Sequence, residues 1–123
     1  MEIGAQLYTV RDYTKTLDDF AKTLERISEI GYRVVQVSGT CSYEPQWLKE
    51  QLDRLGLKCV ITHYNVDRIA NDTDKVVEEH KQFGCEHIGI GCMKGGLKNG
   101  MDDYNAFLKE FNPAGKRIAE LGC

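Results

Sequence analysis

The sequence lacks most of what marks a protein for a membrane, a nucleic acid or an oxidising compartment. The opening MEIGAQLYTVRD carries an acid at position 2 and reads as neither a secretory leader nor a membrane span. Lysine and arginine number 16 against 19 acids, a net charge of −3, and no basic run of five residues occurs. A nucleic-acid footprint is therefore not expected. The five cysteines, Cys41, Cys59, Cys85, Cys92 and Cys123, are odd in number and form no CxxC pair. That argues against a disulfide framework or a zinc knuckle and for reduced thiols in a cytoplasmic setting. There is no GxSxG, no Walker loop, no HExxH, no linker and no low-complexity stretch. The 123 residues make one domain, 1–123.

What the chain does have is a repeated punctuation of helix, glycine and strand. Gly31, Gly56 and Gly84 each follow a helical pattern and precede a short apolar run, in GYRVVQV, GLKCVIT and GCEHIGI. Glycine just past a helix adopts the left-handed conformation that turns the chain back. Strands are predicted over Ile3–Tyr8, Arg33–Val37, Lys58–His63 and His87–Cys92. Helices are predicted over Leu17–Ile30, after Pro45, over Thr73–Phe83 and from Asp102 or Asp103 onward. The first has Thr16 as N-cap and an apolar stripe of Leu17, Phe20, Leu24, Ile27 and Ile30. Asn112-Pro113 is predicted to interrupt the last helix, with a short continuation to Leu121. Gly122 repeats the punctuation, so a fifth strand is expected beyond Cys123. Strands separated by helices run parallel. Such a chain is either an open doubly wound sheet or half of an eight-stranded barrel, and the pattern alone leaves both open.

Few side chains are placed to carry chemistry. His63 stands at the exit of the third strand, where an imidazole can bond a ligand hydroxyl or ligate a metal. Gln6 and Tyr8 alternate with Ala5 and Leu7, which puts both on one face as pocket wall or as ordinary barrel filling. Lys94 and Lys98 lie in a glycine-rich loop and could meet a phosphate. The loop's Gly89, Gly91 and Gly95 have GxGxxxG spacing, which is not the dinucleotide fingerprint. His80 on a buried helix face and His87 at the start of a strand read as structural, Arg11, Glu44 and Asp67 as solvated.

Together IGAQLYTVRD, GYRVVQVSG, GLKCVITHYNV and GCEHIGIGCMKGG resemble the first four βα units of the sugar-phosphate isomerase/epimerase family. This is the xylose isomerase-like TIM-barrel group, which includes AP endonuclease family 2-type proteins, and the resemblance covers essentially the whole chain. It implies an α/β fold of four βα units, the N-terminal half of a (β/α)8 TIM barrel, with its site at the C-terminal strand ends. It implies metal-dependent isomerisation or epimerisation of a small-molecule sugar or sugar phosphate. The divalent metal, held by two glutamates, an aspartate and a histidine of the second half, finds none of those ligands here, and the catalytic residues are unassigned. The front half supplies substrate contacts, above all a histidine ending the third strand, which is His63. Tyr8, Gln6 and Lys94 complete the expected substrate-binding set. The chain alone is not expected to catalyse. The alternatives are a non-catalytic half-barrel that homodimerises to close its sheet, or a small open-sheet binding protein.

Overall fold

The computed structural model describes residues 1–123. Four parallel strands, β1 (Ala5–Gln6), β2 (Val34–Val37), β3 (Lys58–His63) and β4 (Ile88–Gly89), form one sheet in the order β1-β2-β3-β4. A 3-10 segment, Leu7–Tyr13, follows β1. The helices are α1 (Leu17–Ile30), α2 (Pro45–Leu55), α3 (Val66–Asn71), α4 (Thr73–Gln82) and α5 (Met101–Glu120). Sequential order is the barrel pattern, because right-handed crossovers between successive neighbours put every helix on one face. A doubly wound sheet would reverse its strand order part-way, and this one does not.

Register assigns the two faces. Paired residues of parallel strands share a face, so Ala5, Val35 and Cys59 lie together, as do Val37, Thr62 and Ile88. This outer face is sealed by Phe20, Leu24 and Ile27 of α1, by Leu48 and Leu52 of α2 and by Phe83, in a core of 12 buried residues. A smaller cluster of Ile69, Val76 and Ala114 ties α3, α4 and α5 over Ile88 and Ile90. The opposite, inner face presents Gln6, Val34, Gln36, Ile61, His63 and Gly89, and no helix covers it. A bulge between Val35 and Gln36 resets the β2–β3 register, leaving Val60 without an opposite residue.

The predicted caps form. Thr16 accepts the Asp19 amide at 3.1 Å, and α1 ends on Gly31 at φ 113°. Four expectations need correction. Tyr8 is not in a strand, because β1 stops at Gln6, whose carbonyl accepts the Thr9 hydroxyl at 2.7 Å as the chain curls into the 3-10 segment. The last strand also shrinks, from His87–Cys92 to Ile88–Gly89, since β1 and β4 are edges paired on one side only. Pro113 does not interrupt α5. The lost amide bond is outweighed where Phe111, Ala114 and Ile118 pack on the smaller cluster and Arg117 grips Asp74 with two bonds of 2.8 and 2.7 Å. Leu17 and Ile30, counted in the buried stripe of α1, are both exposed at the ends of that helix. The short α3 was not foreseen. Asn65 caps it by accepting the Arg68 amide at 3.0 Å.

Candidate functional site

A cavity of about 330 Å³ opens between the loops leaving β2 and β3, at the C-terminal ends of the strands. Ser38, Gly39 and Tyr43 form its β2 wall, and His63, Tyr64 and Arg68 its β3 wall. The His63 ring stands over β4, where only glycine fits. A Cβ on Gly91 would lie 2.8 Å from His63 Nδ1, and one on Gly89 would lie 3.2 Å from His63 Cδ2. The small residues of IGIG thus make room for the imidazole itself.

His63 belongs to a row that crosses three strands. Gln6 Nε2 donates to Gln36 Oε1 at 3.3 Å, and Gln36 Nε2 stands 2.7 Å from His63 Nε2. Gln36 escaped the sequence reading, although its place between Val35 and Val37 in an alternating strand marks the open face. Ser38, two residues on, has the one buried side-chain oxygen in the chain without a partner, and it lines the cavity. A buried hydroxyl left unpaired is ready to bond whatever enters.

Arg68 is the cavity's cation, and its charge is already committed. It donates to both oxygens of Glu79 at 2.8 and 3.0 Å, to Asp72 at 3.1 Å and to the Tyr64 hydroxyl at 3.0 Å. Tyr64 in turn donates to Glu79 at 2.7 Å. The guanidinium holds the Glu79 carboxyl below the usual carboxylate range. Burial, then the neighbouring Glu79, pushes the Tyr64 phenol up to about 12. Arg68 and Glu79 are eleven residues apart on different helices, a spacing that gives no local signal in the sequence.

The expected site residues divide. His63 and Gln6 come together through Gln36. Tyr8 does not line the cavity. Its ring packs against Gly39 and lies 4.6 Å beneath the Arg11 guanidinium, which also donates to the Tyr8 carbonyl at 3.0 Å. Lys94 lines a separate hollow of about 250 Å³ with Lys98 and Asp103, and pairs with Asp67 at 3.3 Å. A larger groove of about 540 Å³ runs outside, between the 3-10 segment and α1, and holds no strand-end residue. His87 is exposed and His80 is fully buried. The His80 ring bonds the Val76 carbonyl and the Thr62 hydroxyl, both at 2.7 Å. A carbonyl only accepts, so Nδ1 carries the proton and Nε2 accepts from Thr62. Burial lowers the His80 pKa. Nowhere do three His, Cys, Asp or Glu side chains gather as a metal would need, so the residues present do not fit the divalent cation of the expectation. All five cysteines are free. No helix is long and apolar enough to cross a membrane.

Strand order, a single helical layer and a strand-end cavity define half of a (β/α)8 barrel. Solved structures agree on that fold. A sugar phosphate isomerase/epimerase from Parabacteroides distasonis superposes with TM-score 0.75 at 18% identity, over 98% of this chain and 48% of that one. An AP endonuclease, family 2, from Brucella melitensis gives TM-score 0.67 at 15% identity, over 99% and 53%. A xylose isomerase domain-containing protein from Salmonella typhimurium gives 0.53 at 8%, over 90% and 45%. The chain thus spans about half the length of the structures it matches. No protein-family model matches the sequence, and no curated protein does.

Proposed function

We propose that this chain is the N-terminal half of a metal-dependent sugar or sugar-phosphate isomerase/epimerase and forms one wall of its substrate pocket. The observation that carries the reading is the strand-end cavity, with His63 and the unpartnered Ser38 hydroxyl in its wall, on a fold matching half of a sugar phosphate isomerase/epimerase. Hydroxyl-rich ligands suit a surface of amide, imidazole and hydroxyl groups that each donate or accept. Metal and catalytic base belong, in this reading, to residues outside 1–123, and the setting is cytoplasmic.

The test is binding of D-fructose and fructose 6-phosphate to the chain, followed by amide chemical shifts. Half a site should bind with a dissociation constant on the order of millimolar. Shifts should centre on Ser38, Gly39 and His63 and vanish in His63→Ala. Binding of neither sugar at tens of millimolar, or shifts confined to the outer groove by α1, would overturn the proposal.

A second reading is favoured by the open inner face. Val34 and Ile61 are only partly covered there, and β1 and β4 each have an unpaired edge. Two copies would then close eight strands around a shared interior. Light scattering across a concentration series separates the readings, a stable dimer supporting this one and a monomer at micromolar concentration removing it.

A further inference from the structure

We infer that Gln36, oriented by Gln6, is a positioning residue that holds neutral His63 as its Nδ1–H tautomer. His63 then meets its ligand as a hydrogen-bond donor to an oxygen, of carbonyl or hydroxyl type. The ligand half of this statement rests on the proposed function, whereas the tautomer rests on the Gln6–Gln36–His63 hydrogen-bond row.

The argument is one of donors and acceptors. An amide nitrogen carries two hydrogens and offers no lone pair, so Gln36 Nε2, 2.7 Å from His63 Nε2, is the donor and the ring nitrogen the acceptor. The Gln36 oxygen accepts from Gln6 Nε2 at 3.3 Å, and in this arrangement the Gln36 NH₂ faces the ring. Turning Gln36 alone would set its NH₂ against the Gln6 NH₂ and cost that bond, so the two amides reverse only together. A neutral imidazole whose Nε2 accepts carries its proton on Nδ1. Nδ1 has no partner within the chain and faces the place where Gly91 lacks a side chain. The unused N–H therefore lies on the Gly91 side of a ring that also lines the strand-end cavity. Held so, His63 polarises an oxygen and does not remove a proton from carbon, because the nitrogen free to face the ligand is already protonated.

Long-range ¹H–¹⁵N correlation of the histidine rings tests this on the whole chain at about pH 8, where histidine is neutral. Wild-type His63 should show a pyridine-type Nε2 and a pyrrole-type Nδ1, with the Nδ1–H form in roughly five- to tenfold excess. Gln36→Glu replaces the donor by an acceptor and should move the proton to Nε2. Gln36→Leu removes the preference and should shift the tautomer ratio back by a similar factor. His80, whose tautomer is set by Val76 and Thr62, is the internal standard and should read the same in all three proteins. A pyridine-type Nδ1 in wild-type His63, or an unchanged His63 pattern in Gln36→Glu, would overturn the positioning role. With the tautomer as stated, failure of either sugar to move the His63 resonances would instead overturn the ligand half together with the proposed function.

Discussion

Two faces of one short strand behave as different materials. On β3, Cys59 and Thr62 point outward and are wholly buried, whereas Ile61 and His63 point inward and keep part of their surface in water. The outer face follows packing rules, with aromatic and aliphatic side chains from α1 and α2 filling the space over Val35 and Val37. The inner face follows hydrogen-bonding rules, with Gln6, Gln36 and His63 linked edge to edge across three strands. Close packing lies on one side and open hydrogen-bonding capacity on the other, and the two histidines show it. His80 has both ring nitrogens bonded within the chain, while His63 has one in use and one free.

The largest test of that division is a pair of truncations. Phe20→Ala, in the middle of the sealed layer, should cost about 3–5 kcal/mol in urea unfolding, a large part of a small domain's stability. Gln36→Ala, on the open face, should cost less than about 1 kcal/mol. Equal losses at the two positions would abolish the distinction. Next in size is Pro113→Ala, which restores the amide bond missing from α5 and should stabilise the chain by up to about 3 kcal/mol. A loss instead would show that Pro113 shapes the helix for its packing.

A third prediction concerns pH. His80 has a lower pKa folded than unfolded, so the unfolded chain takes up its proton first. The stability that neutral His80 allows is present above the unfolded value, about 6.5, and is lost as pH falls from there through the folded value. His80→Gln should flatten that part of the urea midpoint against pH curve, and an unaltered slope would contradict the buried neutral ring. A further prediction is Glu79→Gln, which should cost about 1–2 kcal/mol. It should also release the Arg68 charge into the cavity and raise fructose 6-phosphate binding relative to D-fructose. An unchanged preference between the two sugars would mean that Arg68 does not reach the ligand.

How much of this was legible in the sequence follows from how local each cause is. Thr16, Gly31 and Gly56 act within one turn, and the helices they bound stand where the pattern placed them. Edge strands have no such local cause. Their length depends on a neighbour in space, and both came out shorter than their apolar runs. Pro113 misled because tertiary packing of Ala114 and Ile118 outweighs a local penalty. At the site, alternation along IGAQLY carried Gln6 correctly to the inner face but failed at Tyr8, where the strand had already curled. Gln36 was readable from VVQV, whereas the Arg68–Glu79 pair joins two helices and was not.

The most direct measurement of the two-faced sheet is thiol labelling resolved by mass spectrometry, comparing native Cys59 with a probe introduced by Ile61→Cys. The exposed Cys92 serves as the reference. The account predicts that the probe at position 61 reacts within about tenfold of Cys92, while Cys59 waits for global opening and reacts at least about a thousandfold more slowly. Comparable protection at positions 59 and 61, independent of protein concentration, would contradict it.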